Sequence, residues 1–273
     1  MTPPRGALIS VAPNGARRTK ADHPALPITP AELAAEARAC CDAGAGLIHV
    51  HVRDGAGGHS LAPDHYRPAM DAVKAAVGDG MIVQITTEAC GIYTPAEQMA
   101  CVRALRPDAA SFGLREFFGP GHERAELADF FAWVADAGVL PQFILYDPAE
   151  VEMLLELVSA GIIPFSSPHA LFVLGRYSDG VQSDPAAIER FLAAWPDKAP
   201  WSVCAFGASE ARVAAAALAR GGHIRIGFEN NLEDPEGGQL PSNAAQVERV
   251  ARIAEAMCLP LISAAEARTL GAA

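Results

Sequence analysis

Positive charge is scarce in this 273-residue chain: Lys and Arg together number 21 against 32 Asp and Glu, a formal net charge of −11, and no basic run offsets it. Nucleic acid is therefore not an expected partner. Long hydrophobic runs are missing as well. Nothing approaches the ~18 consecutive apolar residues that a bilayer crossing requires, and the start, MTPPRGALISVAPNG, lacks the charged segment, apolar stretch and cleavage site of a secretory signal. The expectation is a soluble, cytoplasmic protein with no membrane partner. The cysteines Cys40, Cys41, Cys90, Cys101, Cys204 and Cys258 form no CxxC pair, which argues against a disulfide framework and against a thiolate zinc site. Two glycine signatures are absent too. The first strand-to-helix turn reads Ala12-Pro13-Asn14-Gly15-Ala16 instead of GxGxxG, and neither Gly55-Ala56-Gly57-Gly58 nor Gly119-Pro120-Gly121 leads into GK[ST]. Dinucleotide and Walker-type phosphate loops are thereby excluded, and both glycine stretches read as turns.

What the chain does have is apolar residues, 51% of the total with only 19% charged, enough for a globular core. Eight short apolar or alternating runs recur along it: Ala7–Ala12, Leu47–Val52, Met81–Thr86, Ala109–Leu114, Leu140–Tyr146, His169–Leu174, Trp201–Phe206 and His223–Phe228. Between them lie stretches of helical period, such as Met70/Val73/Val77 and Val151/Leu154/Leu155/Val158. Thr29-Pro30-Ala31-Glu32 and Thr94-Pro95-Ala96-Glu97 combine a capping hydroxyl, Pro at the first helical position and Glu at the third; Asp147-Pro148 and Asp184-Pro185 are simpler starts. Eight βα units without a linker predict one α/β domain over residues 1–273, a (β/α)8 TIM barrel.

Alternate residues of a barrel strand face the interior. In the second run Ile48, Val50 and Val52 are apolar and β-branched, whereas His49, His51 and Arg53 share the other face; in the eighth, Ile224, Ile226 and Phe228 oppose His223, Arg225, Gly227 and Glu229. A barrel buries those polar faces together. Two imidazoles at i and i+2 present their rings to one side, and Glu229 arrives from a neighbouring strand once the barrel closes. His49, His51 and Glu229 form a His2Glu set with an open position, suited to Zn²⁺ and also to Mn²⁺ or Fe²⁺. Two structural histidines are the bland alternative. An inward Arg225 needs a buried carboxylate or an anionic substrate. Thr86 and Thr87 close the third run, where hydroxyls can hold a carboxylate. Arg53-Asp54 reads as a rim ion pair, and Asp147 as a helix cap. Inward residues such as Ile144 and Tyr146 are placed to read a substrate side chain.

Thr19-Lys20-Ala21-Asp22-His23-Pro24-Ala25-Leu26-Pro27, Ile48-His49-Val50-His51-Val52-Arg53-Asp54, Gln84-Ile85-Thr86-Thr87, Phe172-Val173-Leu174-Gly175, the run from Gly221 to Asn231, and Asn243 in the last helix together resemble the β-keto acid cleavage enzymes. That resemblance implies a zinc-dependent (β/α)8 barrel, usually a homotetramer, that transfers an acyl group from a β-keto acid to the CoA of acetyl-CoA and releases acetoacetate. It assigns His49, His51 and Glu229 to the metal, Arg225 to the active site and Thr86 to substrate binding; Thr87 and Asn230 are read as further substrate-binding candidates only from their adjacency in sequence to Thr86 and Glu229. Two positions depart from the family pattern. Asn230 stands where many members carry Asp, and Gln142-Phe143-Ile144-Leu145 lacks their glutamate. An amide cannot act as general base. Proton abstraction is assigned by location to Glu116, with Arg115 beside it as its orienting cation, and Glu88 is the rival. The alternatives are an aldolase or hydrolase acting on keto acids without CoA, or a metal-binding barrel that has lost catalysis.

Overall fold

All eight expected strands form, and they close on one another. The structure, a computed structural model, describes residues 6–119, 123–175 and 183–271; the Gly119-Pro120-Gly121 turn therefore lies partly outside the described residues. The strands are β1 (Ile9–Val11), β2 (Leu47–Val50), β5 (Ile82–Ile85), β6 (Ala109–Gly113), β7 (Leu140–Leu145), β8 (His169–Leu174), β9 (Trp201–Ala205) and β10 (His223–Ile226), parallel throughout, in the closed order β1-β10-β9-β8-β7-β6-β5-β2. A hairpin that was not anticipated, β3 (Val52–Arg53) with β4 (His59–Ser60), stands above the barrel end of β2.

The helices α1 (Pro30–Asp42), α2 (Pro63–Val77), α3 (Pro95–Leu105), α4 (Leu114–Phe117), α5 (Arg124–Asp136), α6 (Pro148–Ser159), α7 (Ile188–Leu192), α8 (Glu210–Ala219), α9 (Asn243–Ala256) and α10 (Ala264–Ala267) follow the strands. Two begin as their sequences dictate. Thr29 accepts from Glu32 N while Glu32 accepts from Thr29 N, and Thr94 and Glu97 repeat the exchange, a reciprocal cap in which each N-cap hydroxyl stabilises by about 1 kcal/mol. Outward strand residues such as Ile48, Val50, Phe112, Phe143 and Ile224 pack beneath the helices in the main core.

The interior is stratified. An apolar floor of Leu8, Leu47, Ile82 and Ala109 is closed from below by Ile262, Ala264, Ala267 and Leu270 of the C-terminal segment. Above it lies a polar layer containing His49, Gln84, Ser111, Gln142, His169, Ser202 and Arg225, all buried. Ile144, Leu171, Val173 and Cys204 form a second apolar patch toward the upper rim. Polar side chains at mid-barrel need partners inside the barrel, and the C-terminal ends of the strands supply the space for chemistry.

Candidate active site

β2 ends at Val50, so His49 is its last inward-facing residue and His51 follows just beyond the strand. Asn14, from the loop after β1, fixes that turn: its amide donates to the His51 carbonyl at 2.9 Å and its carbonyl accepts from His51 N at 3.4 Å. Glu229 arrives from beyond β10 rather than on it. Gly227 makes this possible, with φ +136° and so close to Ala12 that a Cβ would stand 2.3 Å from its carbonyl oxygen; only glycine fits there. Phe228 N then donates to Asn243 Oδ1 at 2.7 Å and Glu229 N to the Ala12 carbonyl at 3.1 Å.

The result is a convergence of three donors. His49 Nε2 and His51 Nε2 are 3.1 Å apart, and Glu229 Oε2 lies 3.3 Å from His51 Nε2 and 3.8 Å from His49 Nε2. A tetrahedron with bonds of 2.0–2.1 Å has edges of ~3.3 Å, so these three atoms could hold one divalent ion and leave a coordination position open. Protonation suits the role. Burial drives the His49 imidazole down to about 3 against the pull of Glu229, leaving it neutral as a ligand must be. Burial alone would raise the Glu229 carboxyl, but the Arg225 guanidinium and then the two imidazoles outweigh it and hold the group well below the usual range.

A cavity of about 320 Å³ opens over the donors, and its walls include Arg225, Thr86, Glu88, Glu116, Ile144 and Tyr146. Arg225 Nη2 donates to Glu229 Oε1 at 2.9 Å and approaches Asn230 Oδ1 at 3.5 Å. Glu116 reaches the cavity because β6 stops at Gly113 and the short α4 swings its carboxylate over it. Glu116 Oε2 accepts from Ala89 N at 3.1 Å and from Gln98 Nε2 at 2.7 Å, and burial raises its carboxyl despite those donors. Glu88 lines the same cavity, with Oε2 4.0 Å from His51 Nδ1 and Oε1 4.0 Å from Arg17 Nη2.

Four placements differ from the sequence-based expectation. Arg115 does not orient Glu116; its Nε donates to Glu150 Oε1 at 2.6 Å and its guanidinium lies over the Tyr146 ring. Arg53 turns to the carbonyls of Gly15, Ala16 and Arg18, while Asp54 accepts from Ala56 N and Gly58 N, so the two close separate loops rather than pairing. Thr87 is buried off the cavity wall, and its hydroxyl donates to the Ser111 carbonyl at 2.7 Å. Asn230 is buried behind Arg225 and is absent from the cavity wall.

Sequence reasoning missed His59, whose ring centroid is 5.5 Å from that of His51 and whose Nε2 is 2.8 Å from the Glu88 carbonyl. The available signal was Asp54-Gly55 between alternating residues, a hairpin turn that folds His59 back onto Arg53. Glu210 was missed too. From the first turn of α8 it accepts from Gly227 N, Asn231 Nδ2 and Gln246 Nε2, supporting the Glu229 loop from below.

The comparisons agree with this geometry. The sequence profile of beta-keto acid cleavage enzymes matches residues 7–271. A 3-keto-5-aminohexanoate cleavage enzyme of Acetoanaerobium sticklandii is 31% identical over 270 residues, 96% of this chain and 97% of its own. A 3-oxoadipate:acetyl-CoA acetyltransferase of Cupriavidus necator is 29% identical over 277 residues, 99% of this chain and 95% of its own. Among solved structures, apo ObcA superposes with a TM-score of 0.68 at 19% identity over 90% of this chain and 65% of that one; the chain thus spans about two thirds of ObcA, and the likeness is one of fold. Among the described residues, no helix is long and apolar enough to cross a membrane. A profile that runs from the first strand to the segment beneath the barrel, over a site where His49, His51 and Glu229 meet, places this chain in the beta-keto acid cleavage enzyme family.

Proposed function

We propose that the protein is a zinc-dependent enzyme that transfers the acyl group of a β-keto acid to the CoA of acetyl-CoA, releasing acetoacetate. The observation that carries this reading is the convergence of His49 Nε2, His51 Nε2 and Glu229 Oε2 beneath a cavity walled by Arg225, Thr86 and Glu116. The relatives' names supply the reaction type: one is a cleavage enzyme for a keto acid, another an acetyl-CoA acetyltransferase.

When bound, the divalent ion acts as a Lewis acid toward a substrate keto or carboxylate oxygen and makes the C2 proton of a β-keto acid acidic. The chain's own groups do the rest. Arg225, fixed against Glu229, presents positive charge to the substrate carboxylate and to the enolate oxygen as it develops. Thr86, whose Oγ1 accepts from Glu88 N at 3.0 Å, has its hydroxyl proton to offer the same carboxylate. Glu116 removes the C2 proton; burial makes it a stronger base than an ordinary carboxylate. Glu88 lines the same cavity with Oε2 4.0 Å from His51 Nδ1 and is the rival base. The C2 carbanion attacks the acetyl carbonyl and expels the CoA thiolate. Attack of that thiolate on the original keto carbon breaks the C2–C3 bond to give a new acyl-CoA, and the C2 carbanion left behind takes the proton back from Glu116 to become acetoacetate.

Incubation of the purified protein with a panel of β-keto acids, with and without acetyl-CoA, tests the reading. Acetoacetate and a new acyl-CoA formed only with acetyl-CoA are expected. Cleavage without any CoA species would replace the acyltransferase with a metal-assisted aldolase or hydrolase. Light scattering checks the homotetramer that the family resemblance implies.

A further inference from the structure

The polar layer of the barrel contains a continuous hydrogen-bonded path that starts on a metal ligand and ends on the opposite wall. His49 Nδ1 is 2.8 Å from Gln84 Oε1, and Gln84 Nε2 donates to Gln142 Oε1 at 3.4 Å. Gln142 Nε2 reaches Ser202 Oγ at 3.5 Å and His169 Nε2 at 3.3 Å, while Ser202 Oγ and His169 Nε2 are 2.8 Å apart. The strand register builds the path: His49 lies directly opposite Gln84, and Gln142 directly opposite His169. All five side chains are at most 5% exposed, so no bulk water competes for their donors and acceptors.

The direction of this path decides which nitrogen of His49 carries the proton. A carboxamide oxygen only accepts, so Gln84 Oε1 requires a proton on Nδ1 and leaves the Nε2 lone pair bare, aimed at His51 and Glu229. If Gln84 turned over, its NH2 would meet Nδ1, the proton would sit on Nε2, and the imidazole could not ligate. Gln84 cannot turn alone, because its NH2 is matched to the Gln142 oxygen and a flip would set two oxygens face to face. Gln142 in turn has its NH2 toward Ser202 Oγ and His169 Nε2, which lie 2.8 Å from each other. The path therefore has two self-consistent directions that exchange only as a unit, and the structure carries the one that frees His49 Nε2.

We propose that Gln142, acting through Gln84, is a positioning residue for the metal centre: it holds the proton of His49 on Nδ1 and keeps Nε2 available as a ligand. The inference rests on the metal site proposed above, but its test does not depend on turnover. Gln142 touches neither the cavity nor the donor atoms of the site, and its effect is confined to the tautomer and the affinity that follows from it.

The experiment uses ¹⁵N-labelled full-length protein, stripped of metal, with histidine tautomers read from long-range ¹H–¹⁵N spectra and Zn²⁺ affinity from competition with a chromophoric chelator. His49 of the unsubstituted protein is expected to be protonated on Nδ1. Gln142→Met, which keeps length and removes both polar atoms, is expected to give mixed His49 tautomers and ~10–100-fold weaker Zn²⁺ binding, the usual cost of losing an outer partner of a metal ligand. Gln84→Glu presents only acceptor oxygens to His49 once ionised, so the double variant Gln84→Glu/Gln142→Met is expected to regain the Nδ1 tautomer and the affinity. An Nε2-protonated His49 in the unsubstituted protein overturns the inference, as does a Gln142→Met protein with unchanged tautomer and affinity. If Gln142→Met does not fold, the double variant Ser202→Ala/His169→Phe removes both groups that Gln142 Nε2 faces; an unchanged tautomer there also overturns the inference. Failure of the unsubstituted protein to bind Zn²⁺ at all, with the tautomer as expected, counts against the proposed function and leaves the proton placement standing.

Discussion

Arg225 Nη2 donates to Glu229 Oε1 at 2.9 Å with both side chains less than a tenth exposed. A cation that lines the cavity thus also keeps the buried Glu229 carboxylate ionised. Removing the charge by Arg225→Met leaves Glu229 with less to offset its desolvation, and we expect a destabilisation of about 3–5 kcal/mol, typical of a broken buried pair, together with loss of metal. Arg225→Lys keeps a charge but not the planar fork. Its metal content should remain near that of the unsubstituted protein while kcat for acyl transfer falls ~100-fold, the scale of a lost charge-stabilising donor. Metal analysis and steady-state kinetics on both variants check the split.

His49→Ala and His51→Ala should each abolish stoichiometric metal. In the unsubstituted protein, Zn²⁺ held at 1,000 times its Kd stabilises by ~4 kcal/mol through mass action, so a strong chelator should lower Tm by several degrees. The Tm of either variant should be indifferent to the chelator. Metal retained at one per chain in His49→Ala would remove the site.

Proton abstraction by Glu116 is visible as solvent deuterium exchange at C2 of a bound β-keto acid, in the absence of acetyl-CoA. Glu116→Gln should suppress exchange at least 100-fold with metal content intact. Glu88→Gln should weaken metal binding more than it slows exchange, because Glu88 Oε2 lies 4.0 Å from His51 Nδ1. Suppression in Glu88→Gln alone would transfer the base to that residue.

Glu210 makes stability depend on pH in an unusual direction. Burial pushes its carboxyl up to about 8, against the hydrogen bonds from Asn231 and Gly227. The folded protein therefore keeps this proton where the unfolded chain, titrating near 4.5, has lost it. Its contribution is complete below pH 4.5 and declines as pH rises toward 8, by up to ~1.4 kcal/mol per unit. Buried imidazoles oppose this: His49 is depressed to about 3 and His59 to about 4, so their contribution is complete above pH 6.5 and is lost as pH falls. The difference between Glu210→Gln and the unsubstituted protein cancels the histidines. That difference should grow in favour of the glutamine variant from pH 5 to pH 8 in urea titrations.

The barrel and half of its site were legible in the sequence because they obey simple periods. His49-Val50-His51 and Arg225-Ile226-Gly227 alternate with apolar neighbours, and that alternation alone sends the polar members inward. Glu229 was identified for an incomplete reason: it is delivered by the tight Gly227 turn against Ala12, not by strand alternation. Arg115, Arg53 and Thr87 were misplaced because their partners, Glu150, the Gly15–Arg18 carbonyls and the Ser111 carbonyl, come from other βα units. Nothing local in a sequence marks such a pairing. Glu116 escaped the alternation rule because β6 gives way to a helical turn at Leu114.

The floor of the barrel is closed by the last part of the described chain: Ala7 N donates to the Pro260 carbonyl, Ile262 N to the Ala7 carbonyl, and Ile262, Ala264, Ala267 and Leu270 cover the apolar ring beneath the polar layer. During synthesis all eight strands leave the ribosome before that cover does. A barrel without that cover would leave Leu8, Leu47 and Ile82 facing water from below. Residues 259–271 thus complete the apolar floor on which the polar layer rests, although none of them lines the cavity.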